Sequence, residues 1–269
     1  MKRTIAFLAT TLLALAAFVP AAPAEEGRFT LAPVNGYEPL VRLSPGDAGD
    51  DVAALQKAMT EAGFYHHAID GEYGRSTASA VIAFHKYLDL ERSDVFNALD
   101  WIRLSGLPDP GLPERTDEPD RIEIDLGRQL LFLFRDGVLH QVIPVSSGGG
   151  YTYRSARTGR AVTASTPEGD FRLKWHQRTW VCDPTTGWCV YKYWAFTDYY
   201  GIHGYRSVPT YPASHGCVRV ETWDADWLES QLFVGMPVHI WRVPPEADPV
   251  PESPPDPETV AELFGTGPG

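Results

Sequence analysis

Cys217 is the residue with the most chemistry around it. It follows Ser214-His215-Gly216 and precedes Val218-Arg219. A thiol becomes a strong nucleophile near neutral pH when a base or a positive environment draws off its proton. A histidine within hydrogen-bond reach supplies that base. Two histidines compete for the role. His215 stands two residues before the thiol, where an extended segment would turn both side chains the same way. His203 stands 14 residues upstream in Gly201-Ile202-His203-Gly204, and the chain between is long enough to bring it back. Gly216 frees the backbone to turn N–H groups toward a substrate carbonyl, as an oxyanion hole requires. Arg219 adds a cation able to grip a carboxylate. A zinc site from His203, His215 and Cys217 has suitable residue types but no evident fourth ligand, so no metal and no other cofactor is expected.

The compartment bears on that thiol. Lys2 and Arg3 precede an apolar run from Ile5 to Phe18, and Ala22-Pro23-Ala24 offers a small-residue cleavage site. This reads as a secretory signal peptide over 1–24. The run is short for a bilayer span, no later run is long enough, and no integral membrane segment is expected after cleavage. Of three cysteines, Cys182 and Cys189 flank a Pro- and Gly-bearing loop that a disulfide closes easily in an oxidising compartment. Cys217 is then left as the free thiol. The formal charge of −12 becomes 21 − 35 = −14 once Lys2 and Arg3 are removed. So acidic a chain lacks the basic footprint of a nucleic-acid binder.

Two folded parts must position these groups. Over 39–107, Val52, Leu55 and Met59 form one helical stripe and Val81, Phe84 and Leu88 a second. A tight turn, Asp70-Gly71-Glu72-Tyr73-Gly74, lies between them. This part is expected to be small and all-α. A linker is expected at 25–38 and another at 108–119, where Pro and charged residues run without periodicity. From 120 to 243 the period changes. Arg121-Ile122-Glu123-Ile124-Asp125-Leu126 alternates as a half-buried strand does. Asp136-Gly137 marks a hairpin between strands at 129–134 and 138–145. Further strands are expected near 169–173, 194–196 and 238–241, and a helix over 222–231. The expected fold class is multi-domain: a helical part, then a mostly antiparallel β-sandwich with short helices. The tail at 244–269 is too rich in Pro, Gly, Glu and Asp to bury a core.

Ser214-His215-Gly216-Cys217-Val218-Arg219, with the upstream His203-Gly204, resembles the signature of the L,D-transpeptidase catalytic domain, the YkuD domain. Gln129-Leu130, Pro144-Val145-Ser146-Ser147-Gly148 and Thr166-Pro167-Glu168-Gly169-Asp170-Phe171 extend the likeness. The helical part resembles a type 1 peptidoglycan-binding module, with His85 where glutamine is usual. The resemblance implies Cys217 as nucleophile, His203 as general base and the Gly204 carbonyl as its orienting partner. It implies Ser214, His215 and Gly216 around the oxyanion pocket and Arg219 at the substrate carboxylate. It implies a cell-wall-associated or periplasmic monomer whose partners are peptidoglycan stem peptides and glycan. A carboxypeptidase using the same site and a non-catalytic wall binder are the rival readings. The aromatic cluster Trp175, Trp180, Trp188, Tyr191, Tyr193 and Trp194 is expected to pack beneath the site loops rather than to form a saccharide platform.

Overall fold

The computed structural model describes residues 41–112, 115–155, 158–184 and 187–242. The expected signal peptide, the 25–38 linker and the 244–269 tail lie outside these residues.

Three helices come first: α1 (Asp50–Glu61), α2 (Arg75–Tyr87) and α3 (Ala98–Ser105). Asp50 and Asp51 place negative charge at the positive end of the α1 dipole. The apolar stripes meet as expected: Leu55, Met59, Val81 and Phe84 are all buried, together with Phe96 and Trp101. Gln56, also buried, ties the turn between α1 and α2. Its Nε2 donates to Asp70 Oδ1 at 2.7 Å, and its Oε1 accepts from the Asp70 and Gly71 N–H groups. The short α3 spans barely two turns. It is fixed by a capping box between Asn97 and Asp100. Asp100 also faces His85 Nε2 at 3.1 Å, while His85 Nδ1 faces the Ser93 carbonyl. The histidine thus sits in a polar niche.

The second part holds β1 (Arg121–Asp125), β2 (Leu130–Arg135), β3 (Val138–Pro144), β4 (Thr152–Arg154), β5 (Ala161–Thr163), β6 (Gly169–Arg172), β7 (Trp175–Gln177), β8 (Val181–Cys182), β9 (Cys189–Ala195), β10 (Gly201–Tyr205), β11 (Val218–Glu221), α4 (Thr222–Gln231) and β12 (Pro237–Trp241). One sheet has the order β3-β2-β1-β12-β6 and the other β11-β10-β9-β7, with β8 on β9 and a separate β4-β5 hairpin. Two pairings are parallel, β1 with β12 and β10 with β11. The sheets are therefore mixed. Between them lies a core of Ile122, Ile124, Leu131, Phe196, Ile202, Val218, Val220 and Ile240, joined by Leu228 of α4.

The alternation in β1 does not mark a half-buried strand. All five of its residues are buried. Glu123 lies under cover because Arg121 Nε, Arg115 Nε and Trp241 Nε1 all bond its carboxylate, at 2.9, 3.1 and 2.9 Å. A buried carboxylate is tolerated when it is paired in this way. Over β2 and β3 the outer face of the same sheet is apolar. Leu130, Phe132, Phe134 and Val142 share one core cluster with Leu55, Phe64, Phe84 and Tyr87 of the helical part. Lys86 of α2 reaches further, donating from Nζ to the carbonyls of Gln129 and Val145.

Candidate active site

Strand periodicity assembles the site. β10 and β11 pair with Ile202 opposite Val218 and His203 opposite Arg219. Side chains alternate between faces along each strand. Since Ile202, Val218 and Val220 enter the core, the other face carries Gly201, His203, Arg219 and, one step before β11, Cys217. β9 flanks β10 with Ala195 opposite Gly201, and a register shift follows near Lys192, whose φ is +48°. Tyr193 therefore joins the same face. Its ring stacks near His203 with centroids 6.0 Å apart.

The Cys217 residue is partly exposed, but its thiol is buried. Tyr193 donates a side-chain hydrogen bond to it and Gly201 a backbone one. Burial pushes the thiol up; the Gly201 N–H, the Arg219 charge and the Tyr193 hydroxyl pull the other way without cancelling it. His203 Nδ1 bonds the Gly204 carbonyl at 3.0 Å. A carbonyl only accepts, so Nδ1 carries the proton and Nε2 holds the free lone pair. Burial, with a smaller push from the Arg219 charge, brings His203 down to about 4 despite that bond. At neutral pH the resting pair is thus a neutral thiol and a neutral imidazole, not the thiolate the sequence suggested. The physical reason is desolvation, which disfavours both charged forms.

The Ser214–Cys217 loop is held from inside. Ser214 Oγ donates to the Cys217 carbonyl and accepts from the Gly216 N–H at 3.0 Å. That engages the Gly216 N–H within the loop, so it is not free to donate to a bound carbonyl. The φ of Gly216 is +134°, and a Cβ there would come within 2.4 Å of the Tyr200 ring and 2.8 Å of the Ser165 carbonyl. Both the angle and the space call for glycine. Ser214 in turn donates its N–H to the Ser147 carbonyl, and its own carbonyl accepts from Gly149 N–H. Gln129, at φ +61°, bonds both the N–H and the hydroxyl of Ser147. Thr166 Oγ1 accepts from Gly148 N–H and donates to the Gly216 carbonyl at 2.8 Å.

The remaining expected residues fall around this centre. Arg219 lays its guanidinium over the Tyr205 ring at 4.2 Å. That cation–π contact holds it at the rim. His215 is drawn into an aromatic stack, 4.0 Å from Trp188 and edge-on to Tyr153 at 4.4 Å. Cys182 and Cys189 are register partners on β8 and β9 and are joined by a disulfide. The aromatic cluster is not mere packing. Trp175, Trp180 and Trp188 remain 49%, 39% and 46% exposed, and Tyr193 touches the thiol. Tyr193, Gly201, Gln129, Ser147 and Thr166 were not singled out by their chemistry. The one local signal was Gly201, at the head of the Gly-Ile-His-Gly run.

The profile of the L,D-transpeptidase catalytic domain, YkuD, matches residues 119–240, and that of a peptidoglycan binding domain matches residues 48–94. No curated protein matches the chain. Among solved structures, the L,D-transpeptidase of Xylanimonas cellulosilytica is 34% identical with a TM-score of 0.68, over 75% of this chain and 98% of that one. The L,D-transpeptidase of Stackebrandtia nassauensis is 19% identical with a TM-score of 0.44, over 76% and 97%. That of Mycobacterium smegmatis is 18% identical with a TM-score of 0.36, over 46% and 58%.

Proposed function

The chain belongs to the L,D-transpeptidase family, and from that premise we propose that it cross-links peptidoglycan stem peptides through a thioester on Cys217. The observation that carries this reading is the shared face of β10 and β11, where Cys217 and His203 lie on neighbouring strands with Gly204 fixing the imidazole. Cys217 Sγ attacks the carbonyl of the third residue of a donor tetrapeptide while His203 Nε2 takes the thiol proton. The tetrahedral oxyanion turns toward the Cys217 N–H. The His203 proton then passes to the departing terminal D-alanine amine, the C–N bond breaks and the thioester remains. The side-chain amine of a second stem attacks it and yields its proton to His203. The new amide forms, and Sγ regains the proton as it leaves. Each oxyanion donor in such a site is worth about 3–4 kcal/mol of barrier. Arg219, at the rim, is suited to a stem carboxylate.

The helical part supports a wall location, because a peptidoglycan binding domain profile matches it. Among the described residues no helix is long and apolar enough to cross a membrane. We place the enzyme outside the cytoplasm on these grounds and on the expected signal peptide. The boundaries 39–107 and 120–243, with linkers at 25–38 and 108–119, remain our division of the chain.

Two measurements test the reading. Intact mass after incubation with a carbapenem gains one covalent adduct, absent in Cys217→Ala; an adduct that persists in that variant refutes the nucleophile. Muropeptide analysis after incubation with sacculi yields cross-linked dimers. Trimmed tetrapeptides without dimers would instead make the enzyme an L,D-carboxypeptidase.

A further inference from the structure

His66 and His67 follow α1 in the helical part, and Asp224 lies in the first turn of α4. The fold brings them together far from one another in sequence. His66 Nε2 stands 3.3 Å from Asp224 Oδ1, and one ligand-capable atom from each of the three residues lies within 4.8 Å of the other two. The side chains of His66 and Asp224 are only 8% and 5% exposed. Neither ring nitrogen of His66 and not Oδ2 of Asp224 has a hydrogen-bond partner. Buried polar atoms are ordinarily satisfied, so orphans of this kind ask for a ligand. A cavity of about 10 Å³ opens beside them, lined by His66, His67 and Asp224 with Tyr65, Ser79 and Pro144. It is about the size that holds a single water or ion.

The surroundings favour a cation. The charged group that acts on Asp224 is Glu221, one turn away, which adds negative charge. No Lys or Arg among the described residues pairs with Asp224. A protonated Asp224 bonded to His66 would leave Asp224 Oδ2 without a partner all the same. His66 is held in place between the rings of His67 and Trp227, at 4.2 and 4.4 Å.

We propose that His66, His67 and Asp224 bind one divalent transition-metal ion of the zinc class, with solvent as the fourth ligand, and that the ion clamps the loop after α1 to the start of α4. Two imidazoles and one carboxylate suit zinc, whereas calcium and magnesium call for oxygen throughout. Tetrahedral zinc needs donor atoms about 3.3 Å apart, so the three side chains close in by small rotations. His67, partly exposed, provides the entry path. The site is separate from Cys217, and the clamp stands or falls independently of the transpeptidase reading.

The test is cobalt titration of the tag-free full chain with its disulfide intact, after treatment with a chelator. One Co²⁺ per chain is expected, with the visible bands of four-coordinate cobalt, no sulfur-to-cobalt charge transfer and displacement by Zn²⁺. Zn²⁺ raises the Tm of the same protein. Asp224→Asn and His67→Ala each weaken binding by at least about 100-fold. His67→Ala changes a partly exposed ring, so its metal-free Tm stays at the wild-type value and the fold is not in question. Cys217→Ala leaves the binding intact. The absence of a stoichiometric ion overturns the proposal. So does binding that survives both site variants, or binding that vanishes in Cys217→Ala.

Discussion

The Nδ1 of His203 lies 3.0 Å from the carbonyl of Gly204, the next residue in the same strand. The strand itself thus sets the tautomer, and no carboxylate is needed to do it. The backbone acceptor orients the ring and favours its protonated form somewhat, but burial outweighs that bond and presses the value down to about 4. His203→Ala is expected to lower kcat/KM by about 10²–10⁴-fold. Because the resting pair is neutral, the proton moves during attack. Acylation by a carbapenem should run slower in heavy water; an inverse isotope effect would point to a preformed thiolate.

The same ring predicts a stability profile. Its folded value of about 4 lies below the ordinary 6.5. Between those pH values the unfolded chain binds the extra proton. This stability is therefore present above pH 6.5 and lost as pH falls toward 4, by roughly 3 kcal/mol in all. Denaturant unfolding of wild type and His203→Gln from pH 7 to pH 4 checks it: the wild type should lose more.

Tyr193→Phe removes a hydrogen bond to the sulfur that favours its thiolate form. The thiol of the variant should titrate higher. Its alkylation by iodoacetamide at fixed pH should slow by roughly tenfold, as loss of about 1–1.5 kcal/mol of such a bond implies. An unchanged alkylation profile would detach Tyr193 from the site.

Gly201→Ala should be severe. A Cβ at that position meets the Trp194 carbonyl at 2.4 Å and the Tyr193 ring at 2.6 Å. Strand and ring must part to admit it, at about 1–3 kcal/mol of stability, and Tyr193 and the Gly201 N–H lose their hold on the thiol together. Thermal unfolding and carbapenem acylation should both decline. A variant with wild-type acylation would mean that the ring can shift freely.

Lys86 offers a prediction at the opposite end of the pH scale. Burial lowers it to about 7 from 10.5. Between those values the unfolded chain holds one proton more, so this contribution to stability rises with pH from 7 toward 10. Lys86→Met lacks that rise. Comparing the two proteins at pH 7 and pH 9 cancels most other groups.

Much of this molecule could be read from its sequence because its signals are periodic or chemically dense. The stripes of α1 and α2, the Asp136-Gly137 hairpin and the residues around Cys217 all belong to that class. What escaped has a physical reason in each case. β10 and β11 are short, β10 carries Gly201 and Gly204, and their parallel pairing is a tertiary event without a turn to announce it. Gln129 adopts φ +61°, an unusual choice for a non-glycine residue, and grips the N–H and hydroxyl of Ser147, a contact that no local pattern announces. The alternation in β1 promised a wet face, yet Arg115 from the preceding linker closes over it. Tyr193 looked like one aromatic among several, because sequence does not say which ring a strand irregularity aims at a thiol.

The apolar outer face of the first sheet, where Phe132 and Phe134 meet Phe84 and Tyr87, has an evolutionary corollary. Modules strung on loose tethers can be shuffled between genes without penalty. Here a newcomer at the N-terminus would have to reproduce a matching hydrophobic relief and an amine at the place of Lys86, or leave greasy surface exposed to solvent. The halves are therefore bound to descend as a pair, and recombination that separates them should be purged.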